Sequence, residues 1–154
     1  MGGPVPPAMH WALVWVLGAV TLGIFMLVWL FKQMNFVQRI DPASKAKTLY
    51  LAGIGLEVVY IVLAAAGGFL ASNGNSSASL LIGLGALCML GAVVCLIMAH
   101  FKVRDSLLRY YNSVENIGLK LSGVMTLFFN ILYFQHHFTR IAEWKRTGVL
   151  SPQK

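Results

Sequence analysis

Glu57 is the side chain best suited to chemistry in this sequence of 154 residues. Between Lys47 and Lys102 it is the only Asp, Glu, Lys or Arg, and it lies within a long apolar run. A charge in the apolar part of a bilayer costs at least about 2.5–3.5 kcal/mol, so we expect Glu57 to be protonated or partnered. Two interpretations stay open. Glu57 is either a proton or cation site, or a carboxyl that hydrogen-bonds across helices to Asn130 or Thr21.

His136 and His137 are the second candidates, because imidazoles ligate haem and metal ions, with His100 or His10 as an opposite ligand. Adjacent residues of a helix point in different directions, and no spacing in the sequence fixes a second ligand. We therefore interpret the pair as histidines near the end of a membrane segment. The sequence predicts neither a metal site nor a cofactor.

Composition and motifs exclude several functional classes. Hydrophobic residues make up 58% of the chain and charged residues 11%, against about 25% charged in soluble domains. The net charge of +7 comes from basic residues that flank apolar runs, which favours contact with anionic lipid headgroups over nucleic acid. No hydrolase, metalloprotease, P-loop or dinucleotide-binding motif occurs in its required context, so we predict no catalytic residues and no enzyme activity.

Four apolar segments must position these side chains. They cover residues 10–31, 48–72, 79–101 and 119–138. Each is long enough, as a helix, to cross a hydrocarbon core of about 30 Å. The predicted fold is an all-α, multi-pass integral membrane protein with a single membrane domain, residues 1–154. Residues 102–116 predict an amphipathic cytoplasmic helix that either continues the third segment or lies in the interface.

Charge placement gives a conflict in the topology. The basic connector at residues 32–47 favours the cytoplasm, and four crossings then place the basic tail after residue 138 outside. We favour four crossings with a weak violation of the charge bias. The alternative is a re-entrant last segment, bent near Asn130, which returns the tail to the cytoplasm.

Small residues recur on the two central segments and predict close helix packing. In the third segment they recur at multiples of four. In the second they share the helix face of Glu57. The predicted packing residues are Ser79, Gly83, Gly91, Cys95 and Ala99 in the third segment, and Gly53, Ala64 and Gly68 in the second.

Two stretches carry a family resemblance. Residues 21–25 (TLGIF) followed by 28–32 (VWLFK), with Asn35 in the basic connector, resemble a family of small bacterial membrane proteins known as a domain of unknown function. Residues 126–135 (TLFFNILYFQ) with Arg140-Ile141 are similar to its second signature, and Val28 stands where an aromatic is usual. The resemblance implies a bacterial inner membrane and lends no activity. The two stretches also form a weak internal repeat.

The sequence therefore predicts a non-catalytic membrane subunit or scaffold. Its expected partners are the lipid bilayer and either copies of itself or other membrane proteins. The alternative is a small oligomeric transporter or channel in which Glu57 of several copies lines a path for protons or cations. A haem or quinone carrier is a third, less supported hypothesis.

Overall fold

The computed structural model describes residues 3–149, except for the side chain of Asn130. Across those residues the chain forms α-helices and no strand. The helices are α1 (Trp11–Val20), α2 (Ile24–Ile40), α3 (Ala46–Ser72), α4 (Ala78–Ser113) and α5 (Gly123–Thr147). The chain divides into two compact units, with the boundary inside α4: a hairpin unit, Lys47–Ala99, and a terminal unit, Met1–Ala46 with His100–Lys154. The all-helical fold class is confirmed.

Two of the four predicted segments form helices that are long and apolar enough to cross a membrane. These are α3, with 27 residues, and α4, with 36. They contain the predicted segments 48–72 and 79–101. α4 runs on without interruption to Ser113, so the amphipathic stretch continues the third segment.

The helices of the hairpin unit meet along small residues spaced by seven. A Cβ on Gly53 would lie 2.9 Å from Leu96 Cδ2, and one on Gly67 would lie 2.8 Å from Ile82 Cγ1. Gly85 faces the ring of Tyr60. Seven residues are close to two helical turns, so this spacing keeps small side chains on one face. The buried small residues of α4 within this unit are Ala78, Gly85, Ala92 and Ala99.

This seam follows a spacing of seven, whereas the predicted stripe follows multiples of four. At about 100° per residue, each step of four turns about 40° beyond a full revolution. The steps from Ser79 to Ala99 therefore accumulate to more than half a turn. Ser79 and Gly83 are exposed, whereas Ala99 is fully buried.

The prediction of one continuous helix over residues 10–31 is wrong. The chain turns between α1 and α2, where Leu22 and Gly23 have φ values of 51° and 90°. Gly23 N–H donates to Gly18 O at 2.8 Å, which closes the end of α1 in a left-handed turn. α1 then folds back on α2, since a Cβ on Gly18 would lie 2.7 Å from Met26 Cγ. With 10 residues, α1 is too short to cross a bilayer.

The last predicted segment lies in α5, which extends through the basic tail to Thr147. Ser122 caps its first turn by accepting a hydrogen bond from Met125 N–H. The Tyr133 hydroxyl also accepts a 2.8 Å hydrogen bond from Ser122 N–H. Eleven residues of straight helix rise about 16 Å, further than a tyrosine side chain reaches. α5 is therefore bent between Ser122 and Tyr133, the interval that contains Asn130.

The core of the terminal unit is formed largely by α2, α5 and the C-terminal part of α4. Phe36 and Phe138 meet edge to face, with ring centroids 5.3 Å apart. Asp41, just after α2, accepts hydrogen bonds of 2.7 Å from Ser106 and Arg109 of α4. Large, fully buried side chains fill the interior, among them Met34, Val37, Leu107, Tyr111, Phe134, Phe138 and Ile141.

Candidate functional site

α1 and α5 border an open groove of about 1430 Å³ in the terminal unit. The lining residues on α1 and α5 recur at helical spacing, so the groove is lined by one face of each helix. No Asp or Glu is among them. The lining residues are Trp11, Ala12, Trp15, Val16, Lys120, Leu121, Ser122, Met125, Phe129, Leu132, Tyr133, His136, His137 and Arg140.

Most of the lining is apolar, and much of it is open to the surroundings. Trp11 and Trp15 from α1 are about half exposed, as are Met125 and Phe129 from α5. Large aromatic and thioether side chains offer broad contact area to an apolar partner. A groove of this kind favours a ligand with a hydrocarbon part.

Arg140 and His137 supply the buried polar groups of the lining, with 9% and 6% of their surfaces exposed. Arg140 Nη1 lies 3.4 Å from His137 Nδ1, and the ring of Tyr133 packs edge to face on the same imidazole. Burial, and then the charges of Arg140 and His136, lower the pKa of His137 to about 4. His137 is therefore neutral near pH 7 and accepts a hydrogen bond from the guanidinium. The permanent charge at this place belongs to Arg140.

A buried amide holds the wall of the groove in position. Gln135 Oε1 accepts hydrogen bonds from Trp29 Nε1 at 2.7 Å and Gln33 Nε2 at 3.3 Å. Gln135 Nε2 donates to Pro7 O at 3.1 Å and Met9 O at 2.7 Å. An indole N–H only donates and a carbonyl only accepts, so these partners fix the orientation of the amide. Gln135 thus ties the chain that leads into α1 to α5.

The predicted intramembrane polar site is not assembled from the described residues. Glu57 is half-buried on α3 and forms no hydrogen bond or ion pair with any residue in the described range 3–149. Thr21 lies in the turn between α1 and α2, where its hydroxyl donates to Leu17 O and accepts from Phe25 N–H. The side chain of Asn130 lies outside the described part of the structure. A partner for Glu57 stays a prediction.

The predicted packing residues divide between the seam of the hairpin unit and its outer surface. Gly53 and Ala99 are buried, and Ala64 lies beside Gly85. Gly91 and Cys95 are half-buried. Ser79, Gly83 and Gly68 are exposed, and a Cβ added at either glycine would meet no atom within 4 Å. These three residues therefore lie outside the seam between α3 and α4.

The two adjacent histidines point in different directions. His136 is exposed and His137 is buried, and both line the groove. His10 stacks on Trp11, with ring centroids 5.7 Å apart. Across residues 3–149 there is no group of three or more His, Cys, Asp or Glu side chains placed to hold a metal ion.

Sequence reasoning missed the groove and the role of Gln135. Trp11 and Trp15 have the spacing of one helix face, but tryptophans at the end of an apolar run are equally typical of an aromatic belt at a membrane interface. In the sequence, Gln135 and Arg140 are a polar and a basic residue near the end of an apolar segment. The partners of Gln135 lie more than a hundred residues away in the sequence, and the partner of Arg140 lies on another turn of the helix. No local sequence pattern indicates either contact.

Comparison with protein-family models, curated proteins and solved structures finds no match to this chain.

Proposed function

We propose that the protein is a non-catalytic, two-span subunit or scaffold of a bacterial inner membrane that assembles through its hairpin unit. The observation that carries the proposal is Glu57, a carboxyl on a long apolar helix without a hydrogen-bond partner in the described residues. In a bilayer such a group is satisfied most simply by a polar group of another molecule. A second copy of the chain, or another membrane protein, supplies it.

The outer surface of the hairpin unit supports insertion into a bilayer. Many of the exposed side chains along both helices are large and apolar. They include Val58, Ile61, Val62, Phe69, Leu80, Leu87, Leu90 and Val94, each at least 55% exposed. Exposure of this extent is expected against lipid and is a liability in water.

Two crossings also remove the conflict in charge placement. All twelve Lys and Arg residues precede residue 48 or follow residue 101. If only α3 and α4 cross, both flanking parts of the chain emerge on one side, and the positive-inside tendency assigns that side to the cytoplasm. The turn at residues 73–77 carries no charge and lies on the other side.

The α1–α2 turn fits this topology as a re-entrant element. Val20, Leu22 and Ile24 at the turn are 75%, 94% and 67% exposed. In α5, Val124 and Phe128, which precede Asn130, are 66% and 71% exposed. We infer that both places enter the apolar part of the cytoplasmic leaflet and return without crossing it.

Replacement of Glu57 tests the assembly. We expect Glu57→Ala to weaken self-association or partner association about three- to thirtyfold, because an interhelical hydrogen bond contributes about 0.6–2 kcal/mol. Glu57→Gln keeps a donor and an acceptor and should retain most of the association. The measurement is the dissociation constant from energy transfer between labelled chains in lipid vesicles, with co-purifying proteins identified from mild detergent. The matched control is Val58→Ala, at the neighbouring exposed position.

The two functional hypotheses separate on the glutamine variant. If Glu57→Gln keeps the oligomer but abolishes acid-driven proton or cation flux into vesicles, Glu57 lines a transport path. If Glu57→Ala associates as tightly as Val58→Ala, and no partner co-purifies, the assembly proposal fails.

A further inference from the structure

We propose that the groove between α1 and α5 binds one anionic glycerophospholipid, with its headgroup phosphate at Arg140 and an acyl chain along Trp11, Trp15 and Met125. This inference goes beyond the assembly role and does not depend on Glu57. The groove lies wholly within the terminal unit.

The charge of the lining selects an anion. Arg140 and Lys120 line the groove, and no carboxylate does. A guanidinium offers paired N–H donors that match the geometry of a phosphate, and a basic pocket on the cytoplasmic side suits an acidic headgroup. Burial of Arg140, with 9% of its surface exposed, reduces screening of its charge by water.

The apolar lining selects an amphiphile over a small anion. Inorganic phosphate would use only the polar groups and would leave Trp15, Met125 and Phe129 uncovered. These side chains are 57%, 45% and 54% exposed. The volume of about 1430 Å³ also exceeds the 300–1,000 Å³ of ordinary small-molecule sites and leaves room for a long hydrocarbon chain.

Lipid titration of the purified, delipidated full chain tests the site. The probes are dioleoyl-phosphatidylglycerol and dioleoyl-phosphatidylcholine, with bound lipid counted by native mass spectrometry. We expect the first bound lipid to favour phosphatidylglycerol at least fivefold, since one basic residue contributes about that factor. Arg140→Gln should remove the preference, and Arg39→Gln, at an exposed cation of α2 outside the groove, should keep it.

A second variant tests the apolar part. Ala12→Trp places an indole in the groove and should weaken binding of both lipids about equally while leaving the charge unchanged. If Arg140→Gln does not fold, as shown by loss of its thermal unfolding transition, Ala12→Trp tests the lipid site in its place. Wild-type affinity of Ala12→Trp for both lipids would overturn the proposal.

Three further outcomes would also overturn it. They are retention of the preference in Arg140→Gln, equal binding of the two lipids by the unsubstituted chain, and saturation by glycerol 3-phosphate at the same concentration as by lipid. The last outcome would identify a simple anion site. None of these outcomes depends on the oligomeric state, so failure here and failure of the assembly proposal are distinguishable.

Discussion

Replacement of Gln135 should lower the stability of the terminal unit more than replacement of an exposed glutamine does. Gln135→Leu removes an amide that is fully buried and that joins α2, α5 and the chain before α1. Trp29 Nε1 then has no acceptor from Gln135, and a buried donor left without a partner costs about 1–3 kcal/mol. The other three hydrogen bonds end on groups that keep a second partner or are partly exposed, at about 0.5–1 kcal/mol each. We expect a total loss of about 4 kcal/mol, against a typical stability of 5–15 kcal/mol.

The assay is equilibrium unfolding in mild detergent, followed by tryptophan fluorescence. The matched control is Gln38→Leu. Gln38 Nε2 donates a 2.6 Å hydrogen bond to Pro42 O at an exposed site, so the control should change the free energy of unfolding by less than about 0.5 kcal/mol. Equal losses in the two variants would refute the role assigned to Gln135.

Gln135→Glu adds a test with a defined sign. A carboxylate cannot donate to Pro7 O or Met9 O, whereas a protonated carboxyl can donate to one of them and still accept from Trp29. The fold therefore favours the neutral form and raises the pKa of the introduced carboxyl above its usual value of about 4.3. Stability of this variant should fall as the pH rises above about 4.3 and should recover on acidification. A flat profile relative to the unsubstituted chain would contradict the hydrogen-bond assignment.

Two other predictions concern packing and charge. Gly53→Val should destabilise the hairpin unit by about 1–3 kcal/mol, because its Cβ would press on Leu96, while Gly83→Val projects into open space and should cost much less; detergent unfolding of the two variants compares them directly. Lys145→Met should cost about 3–5 kcal/mol, because Lys145 and Glu115 form a 2.7 Å ion pair with 6% and 11% of their side chains exposed. The double replacement Lys145→Met with Glu115→Leu should recover most of that loss in a double-mutant cycle, and additive losses would show that the two charges do not interact.

The sequence predicted α3 and α4 because length and hydropathy decide a long apolar helix almost alone. These runs contain no Pro, and their Gly residues have helical conformations. The polar residues at 73–77 end the first run. The break at Leu22 and Gly23 follows a different rule. An apolar stretch containing Gly23 is compatible with a helix or with a turn, and the packing of Gly18 on Met26 selects the turn.

The contact surfaces of the hairpin were harder to predict than its helices. Multiples of four and multiples of seven both place small residues near one another over two turns, and they diverge only over the whole length of α4. The register of α3 on α4 selects the set with Ala78, Gly85 and Ala92. The groove was beyond sequence reasoning for a similar reason, because its two walls are separated by about a hundred residues of chain.

The hydrogen bonds and ion pairs of the fold reduce the number of polar residues available for a functional role. Thr21 closes the turn after α1, Gln135 holds α5 to α2, and Glu115 pairs with Lys145, so each of these polar groups already has a structural role. Glu57 has no such role, since no described residue bonds to its carboxyl. Arg140 has a hydrogen-bonded neighbour but still presents its charge to an open, largely apolar groove. In the proposed topology the two residues address different partners. Glu57 then faces the interior of the bilayer, where we propose another polypeptide or a transported cation as its partner, and Arg140 lies outside the spans, where we propose an anionic lipid.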